Sequence, residues 1–236
     1  MDSNYIKLII SVLTVLVTLI LYVVYQRARK SRRSILLVGL RESGKTLTFT
    51  QLIHGQYVET FTSIKENIGD YETNNGTVRI IDIPGHEQLR YKFFDKYKSN
   101  ARALVYIIDS TLNSANLRDT AECLYNILSD SVVINNRLPV LVLCNKQDIS
   151  TASNNDLLKQ QLEEEFALLR VTKSHQLESV DLKAQKSAFL GREGEKFKFE
   201  DLPIKVSFAE TCAILKDNYS SKKGLDDFKK WLIKVA

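Results

Sequence analysis

A run of apolar residues, Ile35-Leu-Leu-Val38, leads straight into Gly39-Leu-Arg-Glu-Ser-Gly-Lys-Thr46 and then into Leu47-Thr-Phe-Thr-Gln-Leu-Ile-His-Gly55. That order constrains the fold more than any other feature of the chain. The octapeptide fits G-x-x-x-x-G-K-[ST] in full, and its flanks read as a buried strand before it and a short helix ending at Gly55 after it. A loop in this setting wraps its backbone N–H groups around the α- and β-phosphates of a nucleotide. Gly39 and Gly44 keep side chains out of the way, Lys45 reaches the β- and γ-phosphates, and the Thr46 hydroxyl is the ligand for Mg²⁺. Arg41, Glu42, Ser43 and Leu47 complete the candidate nucleotide-binding set. Arg41 is unusual, because a long cation stands inside the loop. It either helps to neutralise phosphate or points into solvent, and solvent is expected.

Upstream, Leu8 to Tyr25 carries no charged residue and interrupts its aliphatic and aromatic residues only with Ser11, Thr14 and Thr18. At about 1.5 Å per residue, a helix of roughly 18 to 20 residues nearly covers the hydrocarbon thickness of a bilayer. A cleaved signal peptide has a shorter apolar core followed by small residues, whereas this run is followed by Arg27, Arg29, Lys30, Arg32 and Arg33. Basic residues stay on the cytoplasmic side. The expected organisation is a short lumenal N-terminus at 1–5, a transmembrane helix at 6–25, a basic cytosolic linker at 26–33 and one cytosolic domain at 34–236.

The formal charge of +5 is matched by the five basic residues beside the span, which leaves the cytosolic part near neutral and direct nucleic-acid binding unexpected. Cys123, Cys144 and Cys212 lack metal-ligand spacing and read as small buried hydrophobes in a reducing compartment. Buried-strand patterns recur at Val78–Ile83, Ala103–Asp109, Val140–Asn145 and Ile204–Ala209. Helical periodicity lies between and after them, in Leu117, Ala121, Leu124 and Leu128, and in Leu225, Phe228, Trp231 and Leu232. Strands alternating with helices imply a mostly parallel sheet covered on both faces, with ligands at the carboxyl ends of the strands.

Two further motifs fall at such ends. In Asp82-Ile-Pro-Gly85 the carboxylate is placed to hold Mg²⁺ through its water shell, and the Gly85 N–H to reach a γ-phosphate. In Asn145-Lys-Gln-Asp148 the Asp148 carboxylate can accept from both the ring N–H and the exocyclic amine of guanine, a pairing adenine cannot offer. This argues against an ATPase or ATP-dependent kinase. Asn145 braces this turn against the phosphate loop, and the stem of Lys146 covers the flat face of the base. After the last strand, the backbone N–H of Cys212 or Ala213 is placed to meet the purine carbonyl.

Taken together, GLRESGKT, DIPG and NKQD resemble the nucleotide motifs of the small GTPases of the Ras superfamily, and DIPGHEQLR is most similar to the Arf and Sar branch. With its single amino-terminal span, the whole chain resembles the β-subunit family of the signal recognition particle receptor. The fold this implies is an α/β P-loop GTPase, its mostly parallel sheet covered by helices on both faces, preceded by one N-terminal transmembrane helix. The implied cofactors are GTP/GDP and Mg²⁺. The implied role is a heterodimer with the receptor's alpha subunit, which the GTP-bound form holds at the endoplasmic reticulum membrane, near ribosome and translocon, for co-translational targeting. The alternative is an autonomous Arf/Sar-like cycling hydrolase of membrane trafficking. Those relatives leave the membrane through amphipathic or lipidated N-termini, which a span cannot do.

The family's first switch needs a hydroxyl for Mg²⁺, and the segment Val58–Asn67 offers Thr60, Thr62 and Ser63, of which Thr62 or Ser63 is favoured. His86 follows D-x-x-G where many relatives carry a water-orienting Gln. It is the candidate catalytic residue, and slow turnover is expected. Between the guanine motif and the last strand the chain is expanded. Leu157, Leu158, Leu162, Phe166 and Leu169 suggest a helix, and the charged stretch from Thr172 to Phe199 reads as a partly mobile, mostly solvated loop spanning about 170–200.

Overall fold

The computed structural model describes residues 3–30, 34–179, 190–192, 194–214 and 224–236, with backbone alone for 3–6, 8–9, 24–30 and 174–179. The chain begins with α1 (Ser3–Lys30), a single helix of 28 residues. Its Val12, Leu13, Val15, Leu16, Leu19 and Leu21 stand more than half exposed. Thr14 and Thr18 return their hydroxyls to Ser11 O and Val15 O at 2.8 Å, so neither needs an outside partner. Among the described residues no helix is long and apolar enough to cross a membrane. In α1 the apolar side chains described run only from Ile10 to Val23, whereas a span needs about twenty residues. The rest of the expected span, and the side chains of the basic cluster, lie outside the described residues.

Among the described residues six strands follow: β1 (Ser34–Val38), β2 (Asn67–Thr73), β3 (Gly76–Asp82), β4 (Ala101–Asp109), β5 (Val140–Asn145) and β6 (Val206–Glu210). They form one sheet in the order β2-β3-β1-β4-β5-β6, parallel throughout except for β2, which runs antiparallel to β3. The helices are α2 (Lys45–His54), α3 (Glu87–Tyr97), α4 (Ser114–Leu128), α5 (Ser131–Asn135), α6 (Asn155–Ser179) and α7 (Asp226–Val235). Successive side chains of a strand face opposite sides, and β1 shows the result. Leu36 and Val38 join Tyr106, Leu124 and Phe166 in one core layer, while Ile35 and Leu37 join Phe49, Phe228 and Leu232 in the other. Strand order reverses at β1, between β3 and β4. A crevice therefore opens at its carboxyl end, where the phosphate loop begins.

Sequence periodicity locates the five parallel strands to within about three residues at either end, as boundary uncertainty allows. The strand β2 was not anticipated: Asn-Ile-Gly-Asp-Tyr-Glu-Thr has too little apolar content to stand out, and it forms because β3 supplies a hydrogen-bonding edge. The stretch expected to be a mostly solvated loop also differs. Helix α6 continues to Ser179, and Leu190, Phe197 and Phe199 are buried in the core. Phe166 stacks within 5.4 Å of Tyr125, Phe197 and Phe199, so a few large aromatics secure a segment whose composition is otherwise polar. Residues 180–189 of the expected mobile loop lie outside the described residues.

This cluster gives a stability prediction. Phe166→Ala removes a fully buried ring and should lower the unfolding free energy by about 3–5 kcal/mol, whereas exposed Leu157→Ala should stay within about 0.5 kcal/mol of the parent. Chemical denaturation of the two variants checks both.

Candidate functional site

The loop from Gly39 to Thr46 leaves β1 at the crevice and enters α2. Gly44 caps α2 with φ of +87°, and a Cβ there would stand 2.2 Å from Asn145 Nδ2, so only glycine fits. Gly39 is similarly tight, since a Cβ would meet the Ile107 carbonyl at 2.4 Å. Ser43 is buried and donates to Leu40 O at 3.0 Å. Lys45 is buried too, its Nζ donating to Leu40 O at 2.5 Å. Burial lowers this ammonium's pKa to about 8; Asp82 opposes the shift and Arg90 adds to it. Arg41 and Glu42 are exposed, and Glu42 takes a left-handed φ of 61°. Leu47 lies partly buried in the first turn of α2.

The second and third strand ends meet this loop. Thr46 Oγ1 donates to Asp82 Oδ2 at 2.8 Å and lies 3.2 Å from Ser63 Oγ, while Thr62 is exposed. Asn67, at the start of β2, donates to the same Asp82 oxygen at 2.9 Å. The other oxygen, Asp82 Oδ1, is buried without a partner, and burial raises the carboxyl's pKa. Gly85 presses on the loop: a Cβ there would be 2.9 Å from Arg41 N and 3.0 Å from Lys45 Nζ. A space of about 250 Å³ lies between Gly44, Lys45, Thr46, Ser63 and Gly85. Two hydroxyls and one carboxylate with a spare oxygen suit a hard cation that keeps several waters, which describes Mg²⁺.

At the other end, Asn145 Nδ2 donates to Ser43 O at 2.9 Å, and Asn145 Oδ1 accepts from Ala213 N at 3.3 Å. Asp148 Oδ1 accepts from the buried Cys212 thiol at 3.2 Å. Lys146, with φ of 65°, places its Nζ 2.6 Å from Asp109 Oδ2. Asn145, Lys146, Asp148, Cys212 and Ala213 thus converge from the ends of β5 and β6. His86 is half-buried before α3, and its Nδ1 is buried without a partner.

The family model described as signal recognition particle receptor beta subunit matches residues 30–206. The chain belongs to that family. The rat signal recognition particle receptor subunit beta is 41% identical over 238 residues, covering 100% of this chain and 88% of the rat protein. The structure of the mammalian SRP receptor is similar at 42% identity with a TM-score of 0.74, covering 86% of this chain and 100% of that one. A Chaetomium thermophilum receptor protein, SRb-GDP-Mg, shares the fold at 22% identity and a TM-score of 0.66, covering 87% and 98%.

Several residues of this family member's site lie within or beside the recognised segments but have no individual role legible from the sequence. Asn67, Asp109 and Arg90 sit in no tetrapeptide motif, although Asp109 is a polar residue at the carboxyl end of a parallel strand, the position where such folds place ligand contacts. Glu66 was missed as well. Its carboxylate accepts from Lys96 Nζ and Tyr97 OH, both at 2.8 Å, which joins the segment entering β2 to the end of α3. The Lys96 bond chiefly, with help from Tyr97, holds Glu66 down to about 2. A carboxyl whose folded pKa lies below its unfolded value of about 4.5 contributes stability above that value and loses it as pH falls toward 2. Glu66→Gln should therefore lose less thermal stability than the parent between pH 4.5 and pH 2, as melts across that range would read.

Proposed function

We propose that this chain is the membrane-anchored GTP-binding subunit of a signal recognition particle receptor, and that its GTP-bound form holds the receptor's alpha subunit at the endoplasmic reticulum membrane for co-translational targeting. The reading is supported by family membership. The observation that carries the switch is the contact between Gly85 and the phosphate loop, where the D-x-x-G turn and Lys45 share one wall. GTP with Mg²⁺ supplies the concentrated negative charge that tells one state of the protein from the other.

Lys45 then meets the β- and γ-phosphates, and the charge it gains there offsets the burial that lowers its pKa. Thr46 and Ser63 offer hydroxyls to the metal, and Asp82 supports them through water with its unpartnered oxygen. Gly85 offers its N–H to the γ-phosphate. Asp148 selects guanine, and Asp109 steers Lys146 over the base. Around this switch Tyr57, Val58, Phe61, Ile64 and Ile68 are exposed, Phe61 to 84%. An apolar patch on a segment that responds to nucleotide suits an alpha-subunit contact made only in the GTP state.

The anchor reading rests on the uncharged run Leu8–Tyr25, the basic flank that follows it and the exposed apolar side chains of α1. It is the reason to prefer a fixed receptor subunit over an autonomous Arf/Sar-like hydrolase. His86 is available to orient water, with slow turnover, so nucleotide acts mainly through partner binding.

Two outcomes test this. Full-length protein in detergent should capture the alpha subunit with GTP and poorly with GDP; equal capture in both states would remove the switch. Asp148→Asn should weaken GTP binding by about 10²-fold or more and favour xanthosine nucleotide, since a site built for hydrogen-bonded groups discriminates strongly. Unchanged GTP affinity would overturn the guanine assignment.

A further inference from the structure

Arg90 lies in the first turn of α3, only 5% exposed. No carboxylate among the described residues forms an ion pair with it. What it does hold is the switch turn. Its NH1 donates to Gly85 O at 3.0 Å, and its backbone N–H donates to His86 O at 2.7 Å. The guanidinium also rests over the Tyr91 ring at 5.3 Å, and its Nε is buried without a partner.

The turn packs against the phosphate loop on one side and borders open space on another. A cavity of about 760 Å³ lies between it, the phosphate loop and α4, with Leu40, Ser43, Tyr91, Cys123 and Asn126 in its walls. Close-packed neighbours normally fix a buried loop; on the open side the side-chain hydrogen bond from Arg90 to the Gly85 carbonyl takes that place. A peptide unit is planar, and fixing the Gly85 carbonyl fixes the plane that continues into the His86 N–H. It also limits where Gly85 itself can turn, 2.9 Å from Arg41 N by the Cβ measure.

We propose that Arg90 is a positioning residue that holds the Gly85–His86 turn against the phosphate loop, and that this grip favours GTP over GDP. The inference rests on the reading of Gly85 as the group that meets the γ-phosphate. Without the strut the turn samples other orientations, and only a fraction of molecules presents Gly85 correctly. The apparent dissociation constant for the triphosphate rises in inverse proportion to that fraction. A diphosphate makes no contact at Gly85 and is insensitive to it. The buried guanidinium acts in the same direction, because added negative charge beside Lys45 is felt by both cations.

The test uses the full chain in detergent, with equilibrium binding of GDP and of a non-hydrolysable GTP analogue. Arg90→Gln should weaken the GTP analogue by about tenfold, the worth of one charged hydrogen bond, with GDP changed by less than about twofold. Arg90→Lys keeps the charge and one donor. Its thermal midpoint should stay near the parent's, and its preference for the triphosphate should fall in the same direction. Equal losses for both nucleotides would show that Arg90 only supports the fold, and no loss for either would show that it has no part in the site. A parent protein that binds neither nucleotide defeats the Gly85 reading itself. A parent that binds both, with an unchanged ratio in both variants, defeats only the role of Arg90.

Discussion

Asp82 receives Thr46 and Asn67 on one carboxylate oxygen, at 2.8 and 2.9 Å, and keeps the other buried and bare. The start of α2, the start of β2 and the end of β3 therefore meet at a single group. A buried carboxylate with an unpartnered oxygen is costly, and burial accordingly pushes Asp82 toward its protonated form while pushing Lys45 toward its neutral one. The phosphate end is thus organised around a carboxylate and an ammonium whose charged forms are both penalised by burial. A ligand that supplies opposite charge to each would gain from an arrangement built before it arrives.

Around that point two segments are tied across the chain. Glu66 fastens the approach to β2 onto Lys96 and Tyr97 at the far end of α3, while Arg90 fastens the near end of α3 onto the turn after β3. Helix α3 is consequently attached to both segments, and neither of these attachments is a hydrophobic core contact. Charged hydrogen bonds break and re-form without repacking an interior, whereas packed cores shift only between discrete arrangements. The most completely buried portion lies elsewhere, in β1, β4 and β5 and the aromatic cluster beneath α6.

The sequence disclosed most where function and local conformation coincide in a few consecutive residues. Gly39 to Thr46, Asp82 to Gly85 and Asn145 to Asp148 each encode a turn whose geometry and chemistry use the same side chains, so they are legible without a structure. The parallel strands are legible because burial on both faces makes them continuously apolar. What escaped depends on pairing between distant residues. Strand β2 exists through its register with β3, where Asn67 falls opposite Asp82, and no property of the segment alone announces that. Arg90 looks like an ordinary helix residue until its neighbours show that it has a carbonyl rather than a carboxylate for company. Phe197 and Phe199 were obscured by the lysines and glutamates around them, since average polarity hides two rings that are sufficient to hold a segment.

The closeness of α1 to the sheet limits how the domain can stand. Four peptide steps separate Lys30 from Ser34, a reach of at most about 14 Å. Strand β1 then carries the chain roughly 15 Å further before the phosphate loop begins. Under the proposed anchoring of α1 in a bilayer, the amino end of β1 would be confined near the lipid headgroups. A tether this short would allow swivelling about its own axis far more readily than retreat from the surface. The protein would then behave as a post of fixed height, and an incoming partner would search a plane for the nucleotide face rather than a volume.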